Sequence, residues 1–99
     1  MPPAYVVFTK ESTLDQAELD LYKAQVGASF EGVEVKFHAA YGPHEVLEGD
    51  PVEGVVILEF PDAAAARSWY FSPAYQKAAA HRFKGAEYRC VIVEGRPAT

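Results

Sequence analysis

The sequence predicts an α+β domain with the element order β-α-β-β-α-β, an antiparallel sheet and both helices on one of its faces. Three observations predict it. Runs of β-branched and aromatic residues stand at 4–9, 33–40, 54–60 and 86–94. Two segments with helical capping signals separate them in the order strand, helix, two strands, helix, strand. A chain of 99 residues, 49% of them apolar, suffices for one core, so a single domain is expected over residues 1–99.

Ala4 to Thr9 reads as a strand with two apolar faces, Tyr5 with Val7 and Ala4 with Val6 and Phe8. Thr13-Leu-Asp-Gln16 has the spacing of a capping box, so a helix is expected from about Leu14 to Ser29, ending near Gly32. Its inward stripe reads as Leu14, Ala17, Leu21, Ala24 and Ala28. Val33, Val35, Phe37 and Ala39 alternate with Glu34, Lys36, His38 and Ala40, the pattern of a half-buried strand. Tyr41-Gly42-Pro43 turns the chain, His44 to Glu48 reads as a short extended piece, and Gly49-Asp50-Pro51 turns it again. Gly54 to Phe60 is nearly continuously apolar, as expected of a central strand covered on both faces. Asp62 caps a helix over Ala63 to Phe71. Ser72-Pro73 breaks it and starts a second piece that runs to about Phe83, before Gly85. Ala86 to Glu94 closes the order, with Tyr88, Cys90 and Ile92 facing one way and Val91 and Val93 the other. This is the ferredoxin-like, split β-α-β plan.

Two helices cover one sheet face only, yet the first, central and last strands are apolar on both. The bare face would expose Val55 and Ile57, or Val56 and Leu58, with matching residues of the neighbouring strands. A second copy of the chain is the simplest cover, so a homodimer is expected; the alternative is that residues 41–52 fold over the face.

Composition excludes several function classes. Nine Lys and Arg against 14 Asp and Glu give a net charge of −5, with no basic cluster to displace counterions from phosphate, so no nucleic-acid partner is expected. One cysteine, Cys90, makes no internal disulfide and fits a reducing, cytoplasmic setting. Neither a signal segment nor an apolar run long enough for a membrane span is evident. The three histidines share no metal-ligand spacing, and phosphate-loop, dinucleotide and nucleophile-elbow motifs are absent, so no metal and no cofactor are expected.

The candidate chemistry falls in two groups. Glu59 lies inside the apolar central strand and reads either as a general base or as a partner of Arg82, Arg67 or Tyr75. His38 is the second catalytic candidate, on the charged side of its strand, where simple solvation is the other reading. Trp69, Ser72, Tyr75 and Arg82 are the ligand-binding candidates around the helix break: an aromatic wall, a helix N-cap, an orienting hydroxyl and a cation. Core packing is the competing account of the aromatics. Two functions follow: a small-molecule-binding or converting domain with a pocket between sheet and broken helix, or a non-catalytic structural or regulatory dimer that fills its interior.

The stretches Pro3-Ala-Tyr-Val-Val-Phe8, Glu45-Val-Leu-Glu-Gly-Asp50, Val56-Ile-Leu-Glu-Phe-Pro61 and Ala66-Arg-Ser-Trp-Tyr-Phe-Ser-Pro-Ala-Tyr-Gln76 resemble the domain of unknown function 1330 family, DUF1330. That resemblance runs in order over nearly the whole chain. It implies the ferredoxin-like fold and the dimeric α/β barrel, and little about activity. Arg82 matches an arginine of the family. Ala40-Tyr41-Gly42 stands where members often carry Arg-Gly-Gly, and Glu53-Gly54 where an arginine often precedes the central strand. Two fewer cations weaken the case that the pocket holds a carboxylate or phosphate, since arginine is the usual bidentate partner.

Overall fold

The computed structural model describes residues 2–97. Strand β1 (Ala4–Thr13) buries Ala4, Val6 and Phe8 on one face and leaves Tyr5, Val7 and Thr9 half-buried on the other. It continues past Thr9 through a bulge between Lys10 and Ser12. Thr13 is therefore still extended, and the expected capping box does not form. The Thr13 hydroxyl donates to Glu53 Oε1 at 2.5 Å, and the Gln16 amide reaches forward to Asp20. The N-cap of helix α1 (Gln16–Val26) is Asp15, whose carboxylate accepts from the Ala17 N–H at 3.0 Å.

This later start rotates the helix relative to the expected stripe. Leu14 and Leu21 are 61% and 46% exposed, whereas Leu19 is buried and Tyr22 and Val26 pack on the core. The phase is fixed by docking. The carbonyl of Gly85 accepts from both Leu14 N and Asp15 N, and a Cβ built on Gly85 would lie 2.7 Å from Leu19 Cδ2. Only a residue without a side chain lets the two helices approach so closely. A short 3₁₀ turn, Gly27–Phe30, ends the element.

Strand β2 (Lys36–Ala40) is shorter than its alternating pattern suggests, because Val33 and Val35 reach the core from an irregular connection. A bulge between Phe37 and Ala39 turns Phe37 to the helix side, opposite Leu58 and 5.0 Å from the Phe30 ring. The expected extended piece at His44–Glu48 is not a strand. Residues 41–51 are all exposed, and the loop closes on itself where His44 Nε2 bonds the Val52 carbonyl at 2.9 Å. Pro43 and Pro51 withhold N–H groups that a further edge strand would need.

Strand β3 (Gly54–Phe60) pairs with β1 and β2. Asp62 caps α2 (Ala63–Tyr70), accepting from Ala65 N at 2.8 Å. Pro73 at the first turn of α3 (Pro73–Gly85) forces the break; Ser72 caps the new helix through Tyr75 N and also donates to the Trp69 carbonyl at 2.7 Å. β4 (Ala86–Glu94) follows at once. The sheet order is β2-β3-β1-β4, antiparallel throughout, and beside β4 Gly95 N bonds the Pro3 carbonyl at 2.7 Å.

The helices cover the face carrying Phe8, Leu58, Phe60 and Ile92. The molecule is only 17 Å thick, room for one sheet and one helix layer. Of the two sets left open by the sequence, Val55 and Ile57 lie on the bare face, with Tyr5, Val7, Val91 and Val93. Val91 and Val93 remain 53% and 51% exposed. The 41–53 loop does not roof this face: Tyr41 leans over Gly54 to meet Tyr88, and Leu47 is 82% exposed. Among the described residues, no helix is long and apolar enough to cross a membrane.

Candidate functional site

The six candidate residues separate onto opposite faces of the sheet. Glu59 pairs with Tyr5 on β1 and Lys36 on β2, on the bare face. Its partner is His38, Nε2 to Oε1 2.7 Å, rather than Arg82, Arg67 or Tyr75. The β2 bulge brings His38 over, with its ring 6.2 Å from Tyr5. The two catalytic candidates thus meet, but away from any pocket with Trp69, Tyr75 or Arg82. Among the described residues Glu59 does not share a pocket with those three, because strand alternation aims it away from the face of Leu58 and Phe60.

On the helix side, Trp69 is 3% exposed and Tyr75 fully buried. The indole stacks on Phe30 (centroids 5.1 Å, planes 12° apart), and its N–H donates to Ser29 Oγ at 3.1 Å. Ser72 serves the helix break and lies beside an open groove of about 500 Å³ between the 3₁₀ turn and α3. The rim of that groove (Glu31, Glu34, Pro61, Ser68, Ala74) is exposed, and it encloses little.

Arg82 is 3% exposed and is ringed by Phe83, Tyr88, Phe8 and Tyr22, with centroids 4.8, 5.0, 5.1 and 6.0 Å from its Cζ. Its Nε donates to the Tyr75 hydroxyl at 3.2 Å, and that hydroxyl lies 3.0 Å from the Tyr22 hydroxyl. Nη2 is buried without a partner. Among the described residues no carboxylate pairs with Arg82. A buried cation left to aromatic faces and neutral hydroxyls is costly unless something else completes its shell.

A more sheltered, more apolar space lies against α1. A cleft of about 320 Å³ is walled by Leu19, Tyr22 and Val26 of α1 and by Tyr41 and Tyr88, with Lys10, Asp20 and Lys23 at its edge. An inner chamber of about 190 Å³ shares Tyr22, Val26 and Tyr41 and is otherwise lined by apolar residues such as Phe8, Phe30, Val56 and Leu58. Tyr41, itself half exposed, lines both spaces. It sits at φ 61°, a left-handed backbone that a bulky residue adopts only under constraint, and its hydroxyl lies 2.5 Å from that of Tyr88. Its ring lies against Gly54, where a Cβ would collide with Cδ1.

The electrostatics keep the hydroxyls of Tyr22, Tyr75 and Tyr88 protonated. Burial pushes Tyr22 well above the ordinary tyrosine range, and Tyr75 adds to the rise. Burial likewise raises Tyr75, against the pull of Arg82. It raises Tyr88 too, helped by the Tyr41 hydroxyl. The Cys90 thiol is also raised by burial, which suits an inert sulfur. Among the described residues no cluster of His, Cys, Asp and Glu stands ready for a metal ion.

Tyr22, Tyr41 and Tyr88 escape a sequence reading. The available signal was Leu19, Tyr22 and Val26 at helical spacing, overshadowed by the more apolar Leu14 and Leu21.

The family model for a domain of unknown function, DUF1330, matches residues 3–96. No curated protein matches the chain. Among solved structures it is similar to a protein of unknown function from Rhodopseudomonas palustris (TM-score 0.75, 19% identity, 98% of this chain and 85% of that one). It is similar to a dimeric ferredoxin-like protein of unknown function from Jannaschia sp. (TM-score 0.69, 14% identity, 94% and 99%). SnoaB, a cofactor-independent oxygenase from Streptomyces nogalater, shares the fold at TM-score 0.60 and 14% identity over 99% and 97% of the two chains.

Proposed function

The chain belongs to the DUF1330 family, and from that premise we propose that it works as a homodimer whose subunits each bind a small organic molecule in the cleft between α1 and the sheet. The observation that carries this reading is the pair of neighbouring spaces, the cleft and its inner chamber, that share Tyr22, Val26 and Tyr41. A largely apolar lining with three tyrosines is what a small-molecule site offers.

The bare sheet face supports the dimer. Tyr5, Val7, Val55, Ile57, Val91 and Val93 form one apolar surface that no helix among the described residues covers, and a two-fold pairing of such surfaces buries it on both copies. The ferredoxin-like protein from Jannaschia sp. that this chain is similar to is dimeric, which supports the reading. His38 and Glu59 then belong to that surface and not to the cleft.

Thermal stabilisation by a panel of planar organic compounds tests the cleft. Some compounds should raise Tm, because a ligand that binds only the folded state stabilises it. Val26→Trp, which plugs the junction of the two chambers, should remove the rise. No rise across the panel, or a rise that survives Val26→Trp, would overturn the reading.

A further inference from the structure

We infer that the cleft takes a planar organic acid, whose carboxylate or enolate oxygen accepts a hydrogen bond from Tyr22. The inference rests on the small-molecule reading above and names the ligand class.

The argument starts at Arg82. A guanidinium only donates, so the bond from Arg82 Nε to the Tyr75 hydroxyl has one polarity, with the Tyr75 oxygen accepting. The Tyr75–Tyr22 contact at 3.0 Å is then decided by burial. Were Tyr22 the donor, Tyr75 would accept twice and its own proton would face a fully buried interior with no acceptor among the described residues. With Tyr75 donating, every polar atom of that hydroxyl is satisfied. The chain therefore runs Arg82 to Tyr75 to Tyr22, and the proton left over is that of Tyr22.

Tyr22 lines both the cleft and its inner chamber. Among the described residues, the Tyr75 hydroxyl is the one hydrogen-bond partner of the Tyr22 hydroxyl. Tyr22 is half-buried on the wall of the cleft, so the donor left over is open to an oxygen from outside the chain. The charge behind it selects the kind of oxygen. Arg82 carries a full positive charge, no carboxylate partner among the described residues, and a buried Nη2 without an acceptor. Hydrogen bonds in series polarise one another, so the cation strengthens the Tyr22 donor. A negative oxygen beside Tyr22 also offsets an otherwise uncompensated interior charge. The rest of the ligand is set by the walls: Phe8, Phe30, Val56 and Trp69 around the inner chamber favour a flat apolar body.

Calorimetric titration with cinnamate and cinnamamide, which share a shape and differ in charge, tests the inference. Cinnamate should bind about tenfold or more tightly than the amide, as expected of a hydrogen bond to a charged acceptor. Tyr22→Phe keeps the ring and should erase that advantage while leaving amide binding in place. If both compounds bind the wild-type protein equally, the inference falls and the small-molecule reading stands. If the carboxylate keeps its advantage in Tyr22→Phe, the anion is held elsewhere and the inference falls. Binding of neither overturns the inference and counts against the cleft itself. Should Tyr22→Phe not fold, carbon-labelled tyrosine in the wild-type protein decides. The Tyr22 phenol resonance should move with cinnamate and not with cinnamamide, and a resonance unmoved by bound cinnamate overturns the inference.

Discussion

Tyr22, Tyr75 and Tyr88 lie around one buried guanidinium, and their protons are held there by burial. The consequence for stability has a definite sign. The folded chain keeps these protons above the pH at which the unfolded chain loses them, so the stabilisation is complete below the ordinary tyrosine pKa and falls as pH rises beyond about 10. An alkaline titration followed by phenolate absorbance and circular dichroism should therefore show part of the absorbance rising only within the unfolding transition. Tyr22→Phe and Tyr88→Phe should each shrink that late phase. A titration complete before any loss of secondary structure would exclude the buried cluster. Tyr75 stands out in the sequence because it falls in a recognisable block, and Arg82 because it matches an arginine of the family. Tyr22, Tyr41 and Tyr88 come from three separate elements, and only tertiary packing brings them together.

Helix α1 shows how one backbone contact can override a sequence pattern. Its seat on Gly85 decides that Leu19, Tyr22 and Val26 face inward. Gly85→Ala would drive a methyl group into Leu19, and overpacking of this kind costs about 1–3 kcal/mol. The denaturant midpoint should fall by the corresponding amount with the slope unchanged, and a neutral result would mean that α1 is not seated there. The strands were legible because alternation survives any docking: Ala4, Val6 and Phe8 are inward, and Val91 and Val93 outward, as their spacing implies. The position of Ser72 and Pro73 likewise fixed the helix break. The phase of α1 was not legible, because Leu14 and Leu21 are more apolar than the tyrosine that actually turns inward, and Gly85 lies far along the chain. The piece at His44–Glu48 misled for a related reason: extended residues become a strand only beside a backbone with free partners.

At the scale of the molecule, one helix layer serves a sheet that is apolar on both sides. Replacing Val91, in the middle of the exposed face of β4, by lysine should leave the fold intact and place a charge in the proposed subunit interface. Wild-type protein should sediment as a dimer and Val91→Lys as a monomer at the same concentration. A monomeric wild type, or a dimer indifferent to the substitution, would refute pairing through this face.

The bond from Gly95 N to the Pro3 carbonyl brings the two ends of the sheet within one peptide spacing of each other. Topologically the segment from Pro3 to Gly95 is nearly a ring, with its slack gathered in the exposed loop before β3. A short covalent bridge between Pro3 and Gly95 would ask no strand to bend, and a cut near Leu47 would then fall within no strand. The order in which the elements are strung together is thus a looser property of this protein than the arrangement they reach.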